Sequence, residues 1–468
     1  MKIFFLLLLS LSIPLHAKKK LDPRQERELR PIENPQSSLK PLLSSLDRYS
    51  ISQHLAFYDL YPETGEGKQA LKRAWELIGG DVNAFDTTIA SLPPFDLQAV
   101  ISLVTRASTD TPVKLTPDQL QLIDAISRNL GNRSLKGQRV WTKEAVLELT
   151  PEEVDVSRAL LIFQFDEMEN PKQEILQYEA SIDMMALQIA ARLGNQATNE
   201  DKIREINRFI FQEMQFRFPP PSLSVTDIDL YTFLPSVIDS RQGVCLGVSI
   251  LYLALAQRLN LPMEIITPPG HIYVRYPQGD SVINIETTAR GIDLPSEVYL
   301  GINTRKLQLR NMKEVVGLAF MNQAAVFWSR QDYSTTSHLY ETARLFLPND
   351  PLLKMFMGFN YLFIGKHSEG TKLLREIRHI TFDESVSPET IPDDYLSGKI
   401  DAEGIKAVYL PVDETRESIL LKLKELKQII KSRPNVILCG DFNIFRGRKE
   451  IESLARDCNL QIVNSPSE

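Results

Sequence analysis

The stretch Ser240–Ala256 restricts this chain more than any other. Gly243 breaks regular structure just before Cys245, and an apolar helix is expected from about Leu246 to Leu259. Cys245 therefore sits at a helix N-terminus. There the unpaired N–H groups and the helix dipole favour the thiolate, the reactive form of the side chain. Backbone N–H groups of that first turn can also hold an oxyanion.

A thiolate nucleophile needs a base, and Pro268-Pro269-Gly270-His271 delivers one. His271 opens an expected strand to Tyr276, Pro277–Asp280 makes a turn, and Ser281–Glu286 returns as a second strand. A four-residue loop would pair Tyr276 with Ser281 and set His271 opposite Glu286. Direct cross-strand partners have Cβ atoms about 5 Å apart on one face, so Glu286 can orient the imidazole. The alternation agrees. Ile272, Val274, Ile283 and Ile285 share an apolar face, while His271, Arg275, Asn284 and Glu286 share the other. His54, His338, His367 and His379 lie on no comparable strand pair.

Length and charge bound the rest. A chain of 468 residues should form two to four domains, and 43% hydrophobic with 24% charged residues is a globular composition. A net charge of −7 gives no bulk basic field, so nucleic acid is not a favoured partner. Three cysteines exclude a disulfide scaffold. Residues 1–17 read as a cleavable export signal: Lys2, an apolar run from Ile3, a break at Pro14 and Ala17 at the cleavage point. The run is short of the roughly 20 apolar residues that span a bilayer. A periplasmic or secreted location follows, with no membrane attachment after cleavage.

The expected organisation continues with a flexible leader at 18–38 and a helical N-terminal domain at 39–200. In that domain Ala70–Ile78 and Gln119–Ile126 look helical, and a helix through Ile182 and Leu193 would be capped by Gly194. A helix over Lys202–Met214, stopped by Pro219-Pro220-Pro221, enters the central block at 201–300.

Three runs in this block resemble the transglutaminase-like superfamily, a branch of the papain-like cysteine enzymes. They are Arg241-Gln242-Gly243-Val244-Cys245, Pro269-Gly270-His271 and Asn284-Ile285-Glu286-Thr287-Thr288. The resemblance covers about 202–295 and implies a papain-type domain. By that resemblance Cys245 is the nucleophile, His271 the base and Glu286 the third member, where the superfamily more often has Asp. Arg241 and Asn284 are secondary candidates from the same motifs.

Residues 314–380 resemble tetratricopeptide repeats: Ala324, Phe327, Thr336, Tyr340, Ala343 and Pro348, then Gly358, Tyr361, Gly370, Leu374 and Ile377 after a 34-residue shift, with Ile377 where Ala is usual. The resemblance implies a groove for a peptide or protein partner; a plain pair of helical hairpins is the alternative. An acidic linker at 381–404 leads to a small α/β fragment at 405–468, with an expected first strand at Ile405–Leu410. There Gly440-Asp441-Phe442-Asn443 resembles the endonuclease/exonuclease/phosphatase family, whose Asp orients the attacking water and whose Asn contacts phosphate. That family's early Glu and late Asp-His pair are not found around it, so Asp441 also reads as a turn residue.

The expected fold class is α+β: a mostly helical chain around a central transglutaminase-like domain. Three functions are open. The first is an exported cysteine enzyme acting on amide or ester bonds of a peptide or protein, with no metal or cofactor. The second is an inactive scaffold that binds a partner through the helical repeats. The third is a phosphodiesterase built on Asp441 and Asn443. If the first holds, Cys245 is the thiol of enhanced reactivity, and Cys439 and Cys458 are buried or bonded.

Overall fold

The computed structural model describes residues 35–80, 100, 101, 103, 114–194, 196–219, 231–268, 271–299, 307–378, 380 and 390–409. The export signal, Asp441, Asn443, Cys439 and Cys458 lie outside the described residues. The described residues are α+β and mostly helical, with one small antiparallel sheet among them.

In chain order the described N-terminal α-helices are α1 (Pro35–Ser44), α2 (Ile51–Leu60), α3 (Gly65–Leu77), α4 (Pro117–Ile126), α5 (Lys143–Glu148), α6 (Val156–Gln164) and α7 (Pro171–Ala190). The end of the expected leader is thus helical from Pro35. Starts follow local chemistry: Thr116 and Gln119 form a capping box ahead of Pro117, and Asp155 accepts from Arg158 N at 3.0 Å. Helix α7 stops at Ala190 with Ala191 as its cap, not at Gly194.

Helix α8 (Asn199–Asn207) is followed by a π-helical turn over Arg208–Glu213, where a single α-helix to Met214 was expected. Then come α9 (Leu234–Ser240) and α10 (Cys245–Arg258). Helix α10 is apolar on all sides and is buried from Leu246 to Ala256. Such a helix needs partners all round, and α6, α7, α9, the sheet and α11 (Met312–Ser329) supply them. Its far end carries Arg258, which donates from Nε to Asp183 Oδ1 at 2.5 Å. Arg133 donates to the other oxygen of Asp183. Nearby, Arg158 and Glu179 form a buried bidentate pair at 2.6 and 2.5 Å. One hydrophobic cluster runs from Ile51 to Leu373 through all these elements.

The sheet has the order β3-β2-β1-β4, with β1 Glu264–Thr267, β2 Tyr273–Gln278, β3 Ser281–Ile285 and β4 Gln308–Arg310. The expected register is corrected. Gln278 pairs with Ser281 and Tyr276 with Ile283, so the turn is the two residues Gly279-Asp280. Gly279 takes φ +60°, which lets two residues suffice. Pro277 then lies within β2, beyond the last β1 pair at Glu264↔Arg275, where its missing N–H breaks no β1–β2 bond. The shift is two residues, an even number, so the sorting of faces survives.

Helices α11, α12 (Tyr333–Phe346), α13 (Pro351–Phe363) and α14 (His367–Glu376) form two successive hairpins. The second crosses closely: a Cβ on Gly370 would lie 2.7 Å from the Gly358 carbonyl oxygen. Two further expectations are corrected here. The acidic linker contains α15 (Thr390–Leu396), and of the residues expected as a strand at Ile405–Leu410, those up to Tyr409 lie in α16 (Ala402–Tyr409). Asp401 accepts from Gly404 N at 2.8 Å and starts that helix. Ile391 and Ile405 bury against Met355, Phe359 and Leu374. A short apolar run does not distinguish strand from helix; the cap and the hairpin surface decide.

Candidate active site

Cys245 is the first residue of α10 and is partly buried. The turn that delivers it is clamped from both sides. Gly243 N donates to Arg217 O at 3.0 Å, and Val244 N donates to Tyr231 O at 3.2 Å. Gly247 permits the second contact, since a Cβ there would lie 2.2 Å from the Tyr231 carbonyl oxygen. Arg241 ends α9 in a left-handed conformation, φ +53°, and its backbone carbonyl accepts from Arg217 N at 3.1 Å. Its Nη1 donates to Met214 O at 3.5 Å. In the described contacts Arg241 shapes the approach to the cysteine.

His271 stands two residues before β2, and Glu286 follows β3 directly. The corrected register no longer puts them directly opposite, yet their side chains meet: Nε2 to Oε2 is 2.6 Å. Glutamate's extra methylene spans the offset. Glu286 is fully buried. Its Oε1 accepts from Thr288 N at 3.1 Å and Thr288 Oγ1 at 2.5 Å, and its Oε2 also accepts from Tyr299 Oη at 2.9 Å. Burial by itself would raise the Glu286 carboxyl. The His271 hydrogen bond, the charge His271 carries when protonated, and the Thr288 and Tyr299 hydrogen bonds outweigh it and hold the group below the usual carboxylate range. An ionised carboxylate only accepts, so His271 Nε2 carries the proton and Nδ1 is the basic nitrogen.

Thr287 ties this pair to the cysteine helix. Its Oγ1 donates to the Cys245 carbonyl at 3.3 Å and lies 3.1 Å from Ser249 Oγ. Asn284 does not join the pair. It is buried and donates from Nδ2 to Leu294 O at 2.6 Å and Ser296 Oγ at 3.1 Å, fixing the segment beyond Glu286. Tyr299 was not legible in the sequence. It comes from a single turn after Leu294, 13 residues from Glu286, with no periodicity to mark it.

Residues 176–310 match the model of the transglutaminase-like superfamily. A UPF0162 protein of Pseudomonas aeruginosa is 26% identical over 149 residues, 31% of this chain and 50% of its own length. UPF0162 proteins of two Xylella fastidiosa strains, Temecula1 and 9a5c, are each 25% identical over 100 residues, 20% of this chain and 33% of theirs. The chain thus spans about half the length of the first relative and a third of the others. A crystal structure of menin, described as revealing its binding site for the Mixed Lineage Leukemia protein, aligns at 12% identity with a TM-score of 0.33. That alignment covers 68% of this chain and 90% of menin, and at such a score it carries no argument.

Proposed function

We propose that this protein is a cysteine enzyme acting on amide or ester carbonyls, with Cys245 as nucleophile, His271 as base and Glu286 as the group that orients and charge-stabilises the imidazole. The observation that carries the reading is the 2.6 Å bond between His271 Nε2 and a wholly buried Glu286. It accompanies a cysteine at the first turn of a central helix. A carboxylate that only accepts fixes the imidazole tautomer needed for proton abstraction through Nδ1.

The reaction follows from these roles. The Cys245 proton passes to His271 Nδ1 as sulfur bonds to the carbonyl carbon. The oxyanion is met by N–H groups of the first α10 turn. The tetrahedral adduct expels an amine or alcohol that takes the proton from Nδ1, leaving a thioester. Water or an amine, deprotonated by Nδ1, then releases the acyl group and frees the thiol. Both hydrolysis and acyl transfer use this cycle.

A peptide or protein is the substrate class we favour, and the hairpins α11–α14 are where a protein partner would bind. The N-terminal pattern supports an exported enzyme. The test is labelling by a thiol-directed electrophile near neutral pH, using wild type beside Cys245→Ala and His271→Ala. Wild-type Cys245 should react faster than the unfolded chain and before Cys439 or Cys458. Labelling of Cys245 no faster than in the unfolded chain would remove the reading.

A further inference from the structure

We propose that Tyr299 is a positioning residue for the imidazole–carboxylate pair, locking Glu286 Oε2 in line with His271 Nε2. The proposal rests on the thiol-enzyme reading above. The phenol donates to Oε2 at 2.9 Å, the same oxygen that takes the imidazole proton at 2.6 Å. With Thr288 on Oε1, rotation of the carboxylate would break hydrogen bonds at both oxygens.

The ring is placed as firmly as the hydroxyl. It stacks on Tyr273 with centroids 4.2 Å apart and planes 15° from parallel. It lies 5.9 Å from the imidazole at 12°. Tyr299 ends the short helical turn Ser296–Tyr299, and that turn is anchored to the sheet. Asn284 Nδ2 holds Leu294 O and Ser296 Oγ, Asn284 N donates to Asp293 Oδ1 at 2.9 Å, and Glu286 N donates to Ile292 O at 3.0 Å. A residue that only filled space beside Tyr273 would need no hydroxyl on the one oxygen that binds the histidine. The second donor holds that oxygen toward His271 Nε2, and the Tyr299 ring, 12° from parallel with the imidazole, flanks it, so the direction of Nδ1 depends on both.

Tyr299→Phe keeps the ring and removes the donor; Tyr299→Leu removes both. Two readouts on the intact chain separate positioning from bulk structure. The first is the alkylation rate of Cys245 by chloroacetamide at fixed neutral pH. The second is the histidine-selective NMR signal of the proton shared by His271 Nε2 and Glu286. Tyr299→Phe should lower the rate about tenfold, the scale of one hydrogen bond to a charged group. It should also move or broaden the shared-proton signal, with the melting temperature lowered by no more than the loss of one buried hydrogen bond accounts for. Tyr299→Leu should lower the rate further. A wild-type rate together with an unmoved proton in Tyr299→Phe overturns the proposal. If wild-type Cys245 reacts no faster than the unfolded chain, the enzyme reading fails instead. The shared proton then decides alone: movement in Tyr299→Phe supports the positioning role, and none overturns it.

Discussion

Replacing Glu286 by Gln isolates the charge and the acceptor pattern with almost no change in volume. The fully buried carboxylate accepts four hydrogen bonds, two at each oxygen. An amide has only one accepting end. The Thr288 backbone N–H, 3.1 Å from Oε1, cannot rotate away, so the amide oxygen must stay there. The NH2 group is then placed at Oε2, facing His271. His271 can meet a donor only by making Nε2 the acceptor, which moves the ring proton to Nδ1 and removes the base. An inverted tautomer of this kind costs about 10⁴-fold in turnover in serine enzymes built on the same logic. Alkylation of the thiol is less demanding. Without the imidazole–carboxylate pair, Cys245 should return towards an ordinary thiol, only a few per cent ionised at pH 7. Labelling should therefore fall at least about tenfold. Stability at neutral pH should change by no more than about 1–2 kcal/mol, since a hydrogen-bonded amide replaces a hydrogen-bonded carboxylate. The assay is chloroacetamide labelling followed by peptide mass spectrometry, with thermal unfolding beside it. Labelling within twofold of wild type at an unchanged melting temperature would refute the tautomer argument.

The same carboxylate sets a pH dependence: its folded value lies below the ordinary one. Its contribution is therefore present above the ordinary glutamate range and lost as pH falls through the folded value. Wild type should lose stability relative to Glu286→Gln across that acidic window, as urea melts at successive pH values would record; parallel curves would contradict it. Arg158→Leu strands the buried Glu179 and should cost about 3–5 kcal/mol. A loss under 1 kcal/mol in denaturant titration would show that the bidentate pair is not needed. Gly247→Ala puts a Cβ 2.2 Å from the Tyr231 carbonyl oxygen. It should cost roughly 1–3 kcal/mol by overpacking and also slow Cys245 labelling, because the strained contact holds the turn before the cysteine. Wild-type labelling and melting in that variant would mean the turn has room to move.

Local chemistry determined the start of α10 and the identity of the pair that meets near it. Gly243 before a mostly apolar run leaves few places for Cys245 other than a helix start. Period-2 alternation sorts His271 and Glu286 from their apolar neighbours in any register shifted by an even number of residues. That is why the contact survives a turn of two residues where four were expected. The hairpin crossing at Gly358 and Gly370 was legible for a similar reason, because small residues at matching offsets permit close approach. Only tertiary structure decided the rest. Ile405 lies in a run as compatible with a strand as with a helix, and burial against α13 and α14 selected the helix. Tyr299 reaches Glu286 through an irregular segment pinned by Asn284, and no periodic signal encodes a contact made across such a loop. Asn284 sits on the expected face of the strand, but its neighbours in space, not its place in the alternation, make it an anchor for that loop. Alternation and apolar runs record which side of an element is buried. The partner met there is set by chain segments that the pattern does not see.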